Sequence, residues 1–201
     1  MRVRALGRVA YEPTWRAMRS LTERRDPATE DELWLLEHPP VYTLGLAGRR
    51  EHILDPGAIP VVATDRGGQV TYHGPGQAIA YALLDLRRRP IGVKALVARL
   101  EEAVIELCAS YGIGASRRAG MPGVYVDGAK IAAVGLRIAR GCSYHGIAVN
   151  AALDLEPFSR IDPCGYPGLA CTQMADHGVR DSIDAVQQKL SDSLERCLIP
   201  T

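Results

Sequence analysis

Hydrophobic and polar positions alternate in the first third of the chain in a way that predicts several short strands. RVRALGRVAY favours a strand, and the segment from Thr14 to Arg25 favours a helix with Trp15 and Met18 on its apolar face and Thr14 as its N-cap. Three strand-like runs follow: ELWLLEH, VYTLG and IPVVAT. From Gln77 the run AIAYALLDL is almost continuously apolar, which is typical of a strand buried on both faces.

The second half of the chain combines helices with a hairpin. Residues 92–110 predict a long helix, and Ser182 caps a predicted closing helix. Between them GVYVDGAKIAAVGLRI reads as two strands joined by the turn Asp127-Gly128, and SYHGIAVN predicts a strand before a loop over roughly residues 156–170. We therefore expect an α+β fold: a single domain over residues 1–201 with a mixed, mostly antiparallel sheet flanked by helices.

Composition excludes several classes of protein. The formal charge is +1 and the basic residues are scattered, so the sequence indicates no nucleic-acid partner. No apolar stretch approaches the roughly 20 residues of a membrane span, and the N-terminus lacks an apolar signal core, so we expect a cytoplasmic protein without membrane association. Five cysteines without a CxxC spacing argue against a disulfide framework and a four-cysteine zinc site. Free thiols and no metal site are expected.

The most unusual segment is the glycine-rich run RGGQVTYHGPGQ, which begins at Arg66. Its glycines allow another molecule to approach the backbone closely. The polar side chains around that opening would be those of Arg66, Thr71, Tyr72, His73 and Gln77. The usual nucleotide signatures are missing, since the chain has neither a GxxxxGK[ST] phosphate loop nor GxGxxG at a strand-to-helix junction. The run predicts a binding site of another kind.

Cys164 is a candidate nucleophile. It lies in IDPCGYPG, where proline and glycine fix the backbone and clear space beside the sulfur. A thiol with an ordinary pKa of about 8.5 is mostly protonated at neutral pH, so a reactive Cys164 needs a nearby cation, either Lys130 or a histidine. Lysine, unlike arginine, can also exchange a proton. An inert cysteine in a rigid turn is the alternative interpretation.

The five histidines fall into two groups. His73 and His145 each precede glycine in an apolar strand context, which predicts that they line one pocket, although satisfied core histidines would give the same pattern. His38, His52 and His177 lie in loop-like or charged surroundings, and we expect them at the surface. A Cys-His hydrolase stays open, because Cys164 and His145 could pair in space.

Three motifs together resemble one known family. RGGQVTYHGPGQAIAY, GAKIAAVGLRI followed by YHGIAVN, and IDPCGYPG resemble the lipoyl(octanoyl) transferases in sequence and in order, over about residues 38–174. The resemblance implies transfer of an octanoyl group from octanoyl-acyl-carrier-protein to a specific lysine of lipoate-dependent enzyme domains, through an acyl-cysteine intermediate, as the first step of endogenous lipoate biosynthesis. It also implies the α+β fold of biotin and lipoate protein ligases.

The resemblance assigns roles to individual residues. Cys164 would be the acyl-thioester nucleophile and Lys130 the residue that lowers its pKa. Backbone N–H groups around Cys164 and Gly165 would hold the tetrahedral oxyanion. Some relatives have serine in place of Ala133, so a hydroxyl contact there would be missing. The implied substrate pocket consists of three segments: Arg66, Gly67, Gly68, Gln69, Val70, Thr71, Tyr72 and His73; Ala133, Val134 and Gly135; and Gly146, Ile147 and Ala148.

The resemblance also implies partners and leaves rivals open. Octanoyl-acyl-carrier-protein would be the donor, and lipoyl domains of 2-oxoacid dehydrogenases and the glycine cleavage H protein would be the acceptors. No cofactor is implied, because the thioester already carries the activation and ATP is not required. The rivals are an ATP-dependent lipoate or biotin protein ligase, an amidotransferase that moves octanoyl or lipoyl groups between protein domains, and a non-catalytic module that binds acyl groups or lipoyl domains.

Overall fold

The computed structural model describes residues 1–89 and 91–198, and at Cys164 it describes the main chain alone. Within these ranges the chain forms ten strands and three α-helices, joined by loops that include short 3₁₀ helices. The helices are α1 (Tyr11–Arg24), α2 (Val93–Ser110) and α3 (Ile183–Leu198). The strands are β1 (Arg2–Arg8), β2 (Glu32–Glu37), β3 (Val41–Leu44), β4 (Val61–Ala63), β5 (Val70–His73), β6 (Gln77–Leu83), β7 (Ser116–Arg118), β8 (Met121–Val126), β9 (Ala129–Ala139) and β10 (Cys142–Asn150).

The strands form a large sheet and a small one. The large sheet has the order β1-β2-β6-β10-β9-β8-β7, and the small sheet has the order β4-β3-β5. Each sheet has one parallel pair, β1 with β2 and β3 with β4, and the other described pairs are antiparallel. The predicted fold class, a single α+β domain with a mixed and mostly antiparallel sheet, is confirmed.

The large sheet is covered on both faces, which explains the nearly continuous apolar run in β6. Ala78, Ala80 and Ala82 pack into a core with the buried faces of α2 and α3. Ile79 and Tyr81 point the other way, into a cluster with α1. Alternate residues of a strand face opposite sides of a sheet, so both sets must be apolar when both faces are covered.

The sequence predicted one hairpin turn and one helix cap correctly. Asp127 and Gly128 have φ values of 49° and 85°, and both central residues of a type I′ turn need positive φ. At the start of α3, the Ser182 hydroxyl accepts a hydrogen bond from the Ala185 N–H (3.3 Å), as a capping serine does.

The start of α1 was predicted wrongly. The helix begins at Tyr11, three residues before the predicted cap. Thr14 lies inside the first turn, where its hydroxyl donates to the Ala10 carbonyl (2.8 Å). A threonine that bonds back to the residue four positions earlier is a known alternative to capping. No helix within the described ranges is long and apolar enough to cross a membrane.

Candidate active site

The segments that resemble the family's pocket meet at one cavity. β5 supplies one wall, and the paired strands β9 and β10 supply another, with Ala133 opposite Ala148 and Gly135 opposite Gly146. The cavity and the open space at its mouth together measure about 480 Å³. Its lining includes Arg66, Gly68, Gln69, Val70, Thr71, His73, Ala133, Val134, Gly135, Gly146, Ile147 and Ala148, together with Tyr11, Tyr81 and His145.

Two predicted pocket residues lie elsewhere. Tyr72 is on the opposite face of β5 from Thr71 and His73, and its ring packs 5.6 Å from that of Tyr42 and 5.5 Å from that of Phe158. Strand alternation explains this, because adjacent residues point to opposite faces. Gly67 lines a neighbouring groove, and its N–H donates to the Leu136 carbonyl (2.8 Å). The main chain of the glycine-rich run is thereby fixed to β9.

Arg66 holds the glycine-rich run in shape. Its buried guanidinium donates to the carbonyls of Thr43 (2.6 Å), Gln69 (2.8 Å) and Gly67 (2.9 Å). A guanidinium presents several N–H donors in a rigid fork, which suits it to collect carbonyls from separate segments. Arg66 therefore links the run to β3 in addition to lining the cavity.

His73 and His145 both border the cavity, as their sequence context predicted. His145 is buried, and its Nε2–H donates to Asp65 (3.1 Å). Burial lowers the pKa of His145 overall, although Asp65 acts in the opposite sense. Burial alone would raise the pKa of Asp65, but hydrogen bonds from His145, Tyr144 and Trp15 outweigh it and hold this pKa well below its usual range. His145 is accordingly neutral beside an ionised carboxylate.

His38 is not at the surface, so that prediction was wrong. It is fully buried, donates from Nδ1 to the Val9 carbonyl (2.6 Å) and accepts at Nε2 from the Tyr81 hydroxyl (2.8 Å). Burial lowers its pKa to about 4. The two prolines that follow are exposed, but the His38 ring itself points inward, with its centre 5.2 Å from that of the Tyr11 ring and 5.9 Å from that of the His73 ring. His52 and His177 are half-buried.

Lys130 is buried beside the cavity. Its side chain is 4% exposed, and its Nζ donates to the Pro122 carbonyl (3.1 Å) and lies 5.3 Å from the centre of the Tyr125 ring. The groove that it lines also includes Val93, Met121 and Tyr166. This groove and the cavity share Gly68, Gln69, Val134 and Gly135. Lys130 therefore lies next to the cavity and is separated from it by these four shared residues.

A β-bulge sets the direction of the Lys130 side chain. Val124 pairs with Ala132, but the next residue of β8, Tyr125, pairs with Lys130, so β9 has one extra residue at Ile131. Ile131 and Ala132 both pack into the core beneath the helices. Strict alternation would have put Lys130 on the same face as Ala132. The bulge instead turns it toward Tyr125, and bulges often re-aim a side chain in this way.

The loop that carries Cys164 is attached at both ends to the site. At its start, Ile161 pairs with Ile53, and the Asp162 N–H donates to the His52 carbonyl (2.8 Å). At its end, the Lys130 N–H donates to the Ala170 carbonyl (2.8 Å), and the Thr172 N–H donates to the Lys130 carbonyl (3.0 Å). The structure thus brings the main chain of this loop to Lys130. The Cys164 side chain is outside the described part of the structure, and the approach of its sulfur to Lys130 stays a prediction.

The expected oxyanion donors need a correction at Gly165. Residues Pro163–Gly165 form a 3₁₀ turn, in which the Gly165 N–H donates to the Asp162 carbonyl (2.9 Å). The Tyr166 N–H donates to the Pro163 carbonyl (3.1 Å). Both N–H groups are used to close the turn. The Gly165 N–H is therefore not available to an oxyanion in this conformation, contrary to the prediction.

Three other cysteines are thiols in environments that disfavour the thiolate. Cys108, Cys142 and Cys197 form no disulfide, as predicted. Burial raises the pKa of Cys108 to about 11, and burial followed by nearby Glu106 raises that of Cys197 to about 11. Burial also raises the pKa of Cys142. These three thiols are poor nucleophiles.

Comparison with known proteins identifies the family. The model of the lipoyl protein ligase A/B catalytic domain matches residues 10–195. The octanoyltransferase of Thiobacillus denitrificans is 62% identical over 196 residues, which cover 98% of this chain and 90% of that relative. The chain belongs to the octanoyltransferase family. As a member of this family it is an acyltransferase, as the sequence motifs predicted.

Solved structures agree with the predicted fold. A bi-partite lipoate protein ligase from Thermoplasma acidophilum superposes with a TM-score of 0.76 at 17% identity, covering 98% of this chain and 84% of the other. The biotin protein ligase of Aquifex aeolicus gives a TM-score of 0.60 at 13% identity, covering 98% and 68%. At such identities the likeness concerns the fold alone. The predicted biotin and lipoate protein ligase-like fold is confirmed for this octanoyltransferase family member.

Proposed function

We propose that the protein transfers an octanoyl group, in the cytoplasm, from octanoyl-acyl-carrier-protein to a specific lysine of lipoyl domains, through a thioester on Cys164. The acceptors would be the lipoyl domains of 2-oxoacid dehydrogenases and the glycine cleavage H protein. Family membership supports octanoyl as the group that moves. The observation that carries the mechanism is the attachment of the Cys164 loop to Lys130, next to the cavity.

In the first half-reaction Lys130 would act as an electrostatic partner. Its ammonium stabilises the Cys164 thiolate, which attacks the carbonyl of the carrier-bound thioester. A new C–S bond forms at Cys164, the C–S bond to the carrier breaks, and the carrier thiolate takes up a proton. Lys130 is buried, and an ammonium in such surroundings interacts more strongly with a nearby thiolate than it would in water.

The cavity would hold the acyl chain. Ala133, Gly135, Gly146 and Ala148 line it with little or no side chain, which leaves room over the face of the sheet that β9 and β10 share. Burial of a methylene contributes about 0.8 kcal/mol. In the second half-reaction the acceptor lysine attacks the thioester carbonyl, a C–N bond forms, and the amine nitrogen gives up one proton to a nearby base. The C–S bond breaks, and Cys164 leaves as a thiolate beside Lys130.

A direct test is the mass of the intact protein after incubation with octanoyl-acyl-carrier-protein alone. We expect the wild-type chain to gain one octanoyl group, and Cys164→Ala to gain none. Cys171→Ala is the matched control because it removes the other cysteine of the same loop, and it should still be acylated. Acylation of a lipoyl domain by Cys164→Ala would refute the mechanism.

The alternative functions differ in whether they require ATP, in which acyl donor they prefer and in whether they show turnover. A ligase of this fold would require ATP and free acid, so transfer from octanoyl-acyl-carrier-protein in the absence of ATP would exclude it. An amidotransferase would prefer an octanoylated lipoyl domain as donor, and competition between the two donors decides this. A binding module would show no turnover with either donor.

A further inference from the structure

His52 lies against the turn that carries Cys164. A Cβ at Gly165 would come within 3.0 Å of His52 Cε1 and 3.1 Å of Gln69 Nε2, so these two side chains occupy the space that glycine leaves. The His52 carbonyl also accepts from the Asp162 N–H (2.8 Å), and the adjacent Ile53 pairs with Ile161. Both the main chain and the ring of His52 are thus held beside the turn.

Gln69 fixes the tautomer of the neutral ring. The His52 Nδ1 lies 2.9 Å from Gln69 Oε1, and an amide oxygen only accepts, so Nδ1 carries the proton. Nε2 then holds a lone pair and borders Cε1, the ring atom nearest Gly165. Gln69 itself lines both the cavity and the Lys130 groove. The geometry resembles a general base that a hydrogen-bonding partner orients.

Charge indicates which step needs this base. During attack by the acceptor amine, Cys164 leaves as a thiolate, and Lys130 stabilises it only while the lysine is protonated. Lys130 can accept the proton of the amine only if it is neutral, which requires that it gave its own proton to the carrier thiolate in the first half-reaction. If Lys130 stays an ammonium throughout, a second group beside the Cys164 turn has to take the amine proton.

We propose that His52 is the general base for acyl transfer to the acceptor lysine, an inference that rests on the function proposed above. As the amine nitrogen forms its bond to the thioester carbonyl, His52 Nε2 takes one proton from that nitrogen. The C–S bond then breaks, and its electron pair goes to the Cys164 sulfur. His52 leaves this step as an imidazolium and returns its proton to solvent, which is possible because the residue is half-buried rather than enclosed.

The test separates the two half-reactions. Wild type, His52→Gln and the matched control His177→Gln, which also replaces a half-buried histidine, are first incubated with octanoyl-acyl-carrier-protein, and formation of octanoyl-enzyme is followed by intact mass. A lipoyl domain is then added, and single-turnover loss of the octanoyl group is timed. We expect His52→Gln to acylate at close to the wild-type rate and to transfer about 100-fold more slowly, while His177→Gln resembles wild type in both steps.

A second variant keeps the proposal testable if glutamine disturbs the turn. In His52→Ala, imidazole added to the buffer should restore transfer to the lipoyl domain without changing acylation. Transfer at the wild-type rate in His52→Gln would overturn the proposal, as would equal losses in both half-reactions without imidazole rescue, which would assign His52 to holding the turn. Failure of the wild-type protein to form octanoyl-enzyme would instead refute the proposed function, and the role of His52 with it.

Discussion

Gly165 is a residue whose identity follows from two independent constraints. Its φ is +73°, where a side chain costs about 1–2 kcal/mol, and a Cβ would approach His52 and Gln69. We therefore expect Gly165→Ala to lower the free energy of unfolding and to slow acylation of the enzyme by up to about 100-fold, because the turn that carries Cys164 must shift. Chemical denaturation and single-turnover acylation measure the two effects.

Gly168 provides the control for that variant. It belongs to the same loop and has a φ of +71°, but a Cβ there would meet no atom within 4 Å. Gly168→Ala should show the backbone cost without the loss of acylation. If both variants lose acylation equally, the contact with His52 and Gln69 has no part in the effect.

At the scale of elements, β8 must make room for a side chain of β9. A Cβ at Gly123 would lie 2.6 Å from the Ala132 carbonyl oxygen and 3.1 Å from Lys130 Cε. Gly123→Ala should therefore displace Lys130, lower the free energy of unfolding by about 1–3 kcal/mol and slow formation of octanoyl-enzyme. Stopped-flow or quenched acylation with octanoyl-acyl-carrier-protein measures the rate.

Gly120, in the turn between β7 and β8, provides the control for that variant. Gly120 has a φ of +76°, and a Cβ there would meet nothing within 4 Å. Gly120→Ala should keep the acylation rate. A Gly123→Ala protein that acylates normally would show that the position of Lys130 tolerates the shift and would weaken its role beside Cys164.

The helices and strands also show which structural features a short sequence pattern can predict. The Asp127-Gly128 turn, the doubly buried β6 and the Ser182 cap follow from signals within a few residues, and the structure has all three. The predicted start of α1 was wrong because threonine is a favoured cap residue, whereas this helix begins at Tyr11 without a side-chain cap. The bulge at Ile131 had no signal in the sequence, because it depends on the register between two strands.

At the scale of the whole molecule, buried histidines couple stability to pH. Burial lowers the pKa of His38 from 6.5 to about 4 and that of His73 from 6.5 to about 3, and it lowers the pKa of His145 as well. The unfolded chain binds protons at these sites below about pH 6.5, whereas the native chain does so only near the lowered values. The stabilising contribution is therefore complete above pH 6.5 and is lost as the pH falls toward 4.

We expect the free energy of unfolding to decrease from pH 6.5 to pH 4.5, by up to about 1.4 kcal/mol per pH unit for each histidine. Urea unfolding at a series of pH values measures this slope. His38→Gln should give a shallower slope, since one titrating group is removed. A wild-type slope near zero over this interval would mean that these rings bind protons as readily in the native state as in the unfolded chain.

Much of the candidate site could be predicted from the sequence because its motifs show which kinds of side chain are present. IDPCGYPG and GAKIAAVGLRI mark a thiol and a lysine, and the segments around Ala133 and Gly146 do meet at one cavity. His52 was missed, since its neighbours Glu51 and Arg50 are charged and suggest only an exposed loop. The signal that identifies it, its contact with Gly165, joins residues more than a hundred positions apart.

The amino-acid sequence was sufficient for the family, the fold class and the hairpin turn, and it supplied the candidate reactive groups, since these depend on residue types and short-range periodicity. Tertiary structure alone decided that β9 bulges so that Lys130 turns toward Tyr125, that the Gly165 N–H is used within its own turn, and that His52 with Gln69 fills the space beside it. The physical reason is that strand register and loop attachment are set by hydrogen bonds between distant segments, which no local pattern records.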